Sequence, residues 1–202
     1  MLAGGPAAGQ TLLSGSISGA VLEQQVDAGT GVAQFRGPVE GGEVVLERAR
    51  WSFSAGGRVG TLTARGADGA DRDVAELGVA ARFAAAAWLA LQGGVTRRSY
   101  TTMLARQLWT VVHVGAEARL AFPGTGMSGV VGAALLPVVS VEGLQTPDVA
   151  FSAGAGMEYR LDHLVVGLAY SLERYDFPEQ VAGRRLEQVS ALTLRVGLRA
   201  GR

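Results

Sequence analysis

The sequence predicts an all-β chain closed into an antiparallel up-and-down barrel, with ten strands as the count and eight as the alternative. Three observations carry this reading. Apolar side chains alternate with small or polar ones at period two, the pattern of strands with two unlike faces. The second face is built of Gly, Ala and Ser with charges of both signs. Long connections alternate with short ones, so the two kinds collect at opposite ends of the strands.

The strands are read, in order, at 14–24, 43–54, 57–66, 74–84, 87–98, 107–122, 128–141, 149–161, 163–174 and 187–200. Turn residues set the boundaries. Segments 14–24 and 57–66 alternate weakly, whereas 43–54 places Glu47 on the opposite parity from Arg48 and Arg50. Leu120 to Val141 is the longest uncharged run, but Pro123, Pro137 and four glycines make it poor helix material. It reads instead as a turn followed by a strand, with Pro137 marking a bulge because it cannot donate to the ladder. The clearest hairpin is Ala150 to Phe177, where Phe151, Met157, Tyr159, Leu164, Val166, Leu168, Tyr170 and Leu172 share one face. Residues 1–9 read as the remnant of a signal peptide or a disordered N-terminus, and 10–202 as a single barrel domain.

Composition narrows the function classes. The 18 basic residues balance 18 acidic ones, so nothing draws the chain to nucleic acid. There is no cysteine, which removes disulfides, zinc–thiolate sites and thiol nucleophiles. Hydrophobic residues make up 48% of the chain and charged ones 18%, with 30 glycines. A soluble β-sandwich carries long polar side chains on its solvated face. Here that face is small and crowded, as the lumen of a narrow barrel requires, and isolated charges there must pair across the interior. Parity places Glu76, Arg82, Arg98, His113, Glu117, Arg119, Glu158, Arg160, Glu173, Arg195 and Arg199 on this face as a structural charge network. An Arg on a lipid-facing midplane costs about 2–4 kcal/mol, so the charge-free face is the outer one.

From about Ser14 to Arg199 the chain resembles the small outer-membrane β-barrel proteins of Gram-negative-type bacteria, the porin-like and opacity-type barrels. The resemblance implies a transmembrane barrel in the bacterial outer membrane, with outer-membrane lipid and the barrel-insertion machinery as partners. It also implies periplasmic termini, which puts the connections 25–42, 67–73, 99–106, 142–148 and 175–186 outside the cell. Tyr100, Trp109, Tyr159, Tyr170 and Tyr175 are the expected aromatic girdle. The chain departs from the family's pattern in ending LRVGLRAGR, without a terminal aromatic residue.

No catalytic constellation can be assembled. The two imidazoles are His113, mid-strand and lumen-facing, and His163, beside a turn at a different depth. The barrel proteases called omptins use acidic residues and a His at the extracellular rim. Here Asp68, Asp71, Asp73, Asp148 and Asp176 lie in or beside the outer loops with no His to accompany them. The 67–73 loop lacks the length and closing Glu of a calcium loop. The expectation is therefore a non-enzymatic barrel, without cofactor or metal, acting structurally or through loops that contact an external ligand or surface. Two alternatives stand beside it: a soluble lipocalin-like ligand-binding barrel, and an outer-membrane hydrolase or lipid-modifying enzyme.

Overall fold

The computed structural model describes residues 11–29, 31–66, 70–179 and 183–200. The expected signal remnant at 1–9 and Asp68 lie outside the described residues. The chain forms ten antiparallel strands: β1 (Thr11–Asp27), β2 (Val32–Arg48), β3 (Trp51–Arg65), β4 (Arg72–Ala84), β5 (Leu89–Thr101), β6 (Arg106–Ala121), β7 (Met127–Val141), β8 (Val149–Leu161), β9 (Leu164–Asp176) and β10 (Leu186–Ala200). Each strand pairs with its sequence neighbours, and β1 pairs with β10 from Leu13↔Ala200 to Asp27↔Leu186. The barrel is therefore closed without edges, and the eight-strand alternative falls.

One stretch differs from its expected boundaries. Residues 25–42 are mostly strand, and the single strand expected at 43–54 is the end of β2, a turn at 49–50 and the start of β3. The turn carries neither Gly nor Pro. Ala49 reverses the chain with φ 54°, a left-handed conformation that L side chains adopt reluctantly. Relief of that strain predicts that Ala49→Gly raises stability by up to about 1 kcal/mol, read as the urea midpoint of refolding into vesicles. The bulge expected at Pro137 is present. Val112 pairs with Val138 and Val114 with Leu135, so β7 spends one more residue than β6 over the same interval.

Outward positions form an apolar band. From the short-turn end, β1 presents Leu13, Gly15, Ile17, Gly19 and Val21 before Glu23, and β9 presents Leu164, Val166, Leu168, Tyr170 and Leu172 before Arg174. Five alternate outward residues span nine positions, which at a tilt near 40° is roughly 23 Å, close to the height of a membrane-facing band. Ile17 and Leu77, both 72% exposed, could not stand in water at that density without cost. The outward charges Glu23, Arg36, Asp73, Arg106 and Arg174 lie toward the loop end and Arg48 at the short-turn end, while Arg97 stands level with Leu77 at the upper part of the band. Glu40 on β2, level with Gly19 and Val59, is an outward charge within the band. This arrangement is the reverse of a lipocalin's, whose exterior is polar.

The aromatic girdle is not where sequence reading put it. Tyr159 and Tyr170 do face outward, but Tyr100, Trp109 and Tyr175 are buried inside the barrel. The exposed aromatic belt is one-sided. Trp51, Phe53, Trp88, Phe122 and Tyr159 gather around the short turns, with Trp51 stacked on Phe53 at 6.1 Å and tilted against Phe83 at 5.0 Å.

Candidate functional site

The interior is the one place where polar chemistry is concentrated, and it is layered along the barrel axis. At the short-turn end sits a ring of arginines and glutamates. Arg82 on β4 meets Glu117 on β6 at 2.8 Å, Arg199 on β10 meets Glu47 on β2 at 2.7 Å, and Arg195 on β10 meets Glu158 on β8 at 2.5 Å. Arg119 on β6 also binds Glu158, and Arg160 approaches the same carboxylate at 3.5 Å.

Most of these pairs skip a strand, which explains the small residues of the inner face. Arg195 reaches Glu158 across β9 over Gly167, where a Cβ would lie 3.7 Å from Glu158 Cγ and 3.9 Å from Arg195 Nε. Arg119 reaches Glu158 across β7, donating to Ser128 Oγ at 3.2 Å on the way. Arg195 reaches Glu43 across β1, whose Ser16 and Ser18 stand opposite those two residues. Gly and Ser are the spacers that let long charged side chains bridge.

Above the ring the lumen widens beside β7–β10 into a cavity of about 590 Å³ walled by Gly132, Ser152, Gly154, Gly156, Ser171 and Thr193. A smaller space of about 290 Å³ holds His113 with Glu43, Arg58 and Glu76, and the imidazole lies against Gly94. Arg98 closes this level. It binds Glu76 on the next strand and clasps Glu173 on the far wall through Nη1 at 2.8 Å and Nη2 at 3.0 Å. Tyr175 donates its hydroxyl to the same Glu173 at 2.7 Å.

The loop end is a packed plug. Leu22, Phe35, Leu62, Val74, Tyr100, Trp109, Val139, Tyr175, Phe177 and Val189 form one buried cluster. Trp109 is its hub, with ring centroids 5.0 Å from Tyr175, 6.2 Å from Phe177 and 6.4 Å from Tyr100. Within it Gln24 donates to Glu187 at 3.1 Å and accepts from Arg72 at 3.0 Å, and Arg185 also binds Glu187. Arg72 lies 3.3 Å over the ring of Phe35.

The eleven residues assigned to the lumen from sequence thus fall into groups. Glu76, Arg98 and Glu173 meet beneath the plug. Arg82 and Glu117 meet at the turn end, as do Arg119, Glu158, Arg160 and Arg195 around one carboxylate. Arg199 finds Glu47, and His113 stands apart in its own cavity. Sequence reading missed Glu43, Glu47 and Arg58, because their strands were cut in the wrong place, and missed Gln24, Arg72 and Glu187 of the plug. His163 is an exposed turn residue at the end opposite the rim carboxylates. Three of those carboxylates are engaged locally: Asp71 accepts from Ala64 N–H at 2.9 Å, Asp73 from Thr61 at 2.7 Å, and Asp176 binds Arg184. Among the described residues no cluster of three or more His, Asp or Glu is arranged to hold a metal.

The outer-membrane protease OmpT of Escherichia coli shares this architecture over nearly its whole length. The two superpose with a TM-score of 0.59 at 11% identity, covering 95% of this chain and 96% of that one. The fold is that of a bacterial outer-membrane β-barrel. The translocator domain of the autotransporter NalP from Neisseria meningitidis aligns with a TM-score of 0.49 at 13% identity, over 94% of this chain and 88% of that one. An anion-selective porin from Comamonas acidovorans aligns with a TM-score of 0.39 at 14% identity, over 83% of this chain and 55% of that one, so this chain spans about half its length. No family model and no curated protein matches the sequence.

Proposed function

We propose that the protein is an integral outer-membrane barrel with periplasmic termini, sealed toward the outside, that acts structurally and through contacts made by its extracellular rim rather than as a pore. The observation that carries this reading is the plug: at the loop end, the lumen is filled by fully buried aromatic and aliphatic side chains. A barrel of this strand number has room for side chains or a small ligand and little more. The rim favours a contact role. In the β5–β6 loop, Thr102 Oγ1 accepts from the backbone N–H of Leu104 and Ala105 at 3.3 and 3.1 Å. That tight turn holds Met103 and Leu104 out at 100% and 95% exposure.

Protease chemistry like that of the OmpT neighbour draws no support here, since both imidazoles lie away from the rim carboxylates, of which Asp71, Asp73 and Asp176 are bound locally. The membrane reading has a direct test. Spin labels at Leu168 and Leu194 are expected to be relaxed by a lipid-soluble agent, and heat-modifiable migration on gels is expected. A protein that stays monomeric and soluble without detergent would overturn it. Leu168→Arg, in the middle of the band, is expected to lower stability in vesicles by about 2–4 kcal/mol, whereas arginine in place of Thr63, outside the band, is expected to change it little.

A further inference from the structure

Among the described residues, the space inside the barrel runs from the short-turn end to the plug. The cavity of about 590 Å³ shares Glu43, Gln92, Glu117, Glu158 and Arg195 with a second space of about 290 Å³, which continues to Ser14 and Asp162 at the short-turn end. Near the turn end Arg160 and Arg195 are 49% and 39% exposed, whereas Arg98 beneath the plug is 2% exposed. Cavities of this volume are the size that takes small molecules. Beside its glycine and alanine wall stand hydroxyl side chains and the charged Glu43, Glu117, Glu158, Glu173 and Arg195, which suit a solute that carries charge.

The charges facing this space are not equally engaged. Glu173 is clasped by Arg98, Glu117 is held by Arg82 at 2.8 Å, and Glu158 is shared by Arg119 and Arg195. Glu43 has one partner, Arg195, at 3.4 Å, the loosest of the links across the lumen. Arg195 is meanwhile anchored by its other nitrogen to Glu158. Glu43 also borders all three internal spaces. A lone anion drawn to Arg195 would strand Glu43, which has no second partner, and a lone cation drawn to Glu43 would leave Arg195 on Glu158 alone. A molecule carrying both charges replaces each in kind.

We propose that Glu43 and Arg195 form the recognition pair of a lumenal site for a small zwitterion of the amino-acid or short-peptide class, entering from the turn end. The ammonium takes Glu43 and the carboxylate takes Arg195. Ser152, Ser171, Thr193 and Gln92 line the space left for the rest of the molecule. The site is separate from the rim and does not depend on the contact role proposed for it.

The test is calorimetric titration of the folded full chain in detergent with glycylglycine, N-acetylglycylglycine and glycylglycinamide. Saturable one-to-one binding of glycylglycine is expected, at least tenfold weaker for both one-charge analogues. E43Q and R195Q should each weaken binding at least tenfold, and T193W should abolish it by filling the cavity. E43Q keeps the comparison sound if R195Q folds poorly, because Glu43 is the less engaged partner. Absence of saturable binding, equal binding of all three compounds, or unaltered binding by a folded E43Q would overturn the proposal.

Discussion

Arg98→Met is expected to destabilise the barrel by up to about 3–5 kcal/mol, because it removes a buried guanidinium that neutralises two partly buried carboxylates. The side chain is 2% exposed and touches Glu76 and Glu173 from two different strands. Glu76 retains Arg58 at 3.0 Å. Glu173 retains only the Tyr175 hydroxyl, a neutral donor, so most of the loss should fall there. The double variant Arg98→Met with Glu173→Gln separates the two causes. It removes the stranded charge and should recover more than half of the loss. The measurement is the urea midpoint in vesicles with circular dichroism confirming the strand content. If the single and double variants are equally unstable, the cost belongs to lost packing beneath the plug and not to charge.

The barrel itself was legible because period-two alternation survives in most strands, and parity placed the inner charges. Where reading failed, the physical signal was local and opposed by a stronger cue. In β2 the run Gly37–Pro38 and the pair Gly41–Gly42 look like turn, yet Gly37 and Gly41 face inward where the wall of β3 comes close, and Pro38 faces outward. The true reversal, at Ala49–Arg50, has no turn residue, and its one trace was the discordant parity of Glu47. Glu47 points inward to Arg199, Arg48 points outward, and the chain turns just after them.

The plug could have been read from parity as well. Tyr100 has the parity of Arg98, Trp109 that of His113, and Tyr175 that of Glu173, so all three belonged on the inner face. Their nearness to strand ends pointed instead to an interfacial girdle, a rule that holds only for side chains facing lipid. The partners of each inner charge were not legible in the same way. Pairing two strands apart depends on the curvature of the closed wall and on which intervening residue is small, as at Gly167, and neither follows from one strand's pattern.

The combined variant Trp109→Ala with Tyr175→Ala is expected to turn a closed barrel into a conducting one. Both side chains are fully buried, and their rings pack 5.0 Å apart at the centre of the plug. Each large-to-Ala change costs about 3–5 kcal/mol where the surroundings do not collapse, and a closed β-wall has little freedom to collapse inward. The vacated space would join the cavity beneath, leaving Arg98 and Glu173 as the remaining constriction. In planar lipid bilayers the unaltered protein should give no discrete steps, and the double variant should give steps with weak ion selectivity, since the ring below carries both signs. Because the chain has no native cysteine, Thr193→Cys supplies a second readout. With the plug intact, a charged thiol reagent should label it from the turn end alone; with the plug removed, from both ends. Tyr170→Ala, on the lipid-facing side, controls for loss of an aromatic ring without loss of the seal. A folded double variant that neither conducts nor admits reagent from the loop end would mean that the Arg98–Glu173 clasp, and not the aromatic plug, is what closes the lumen.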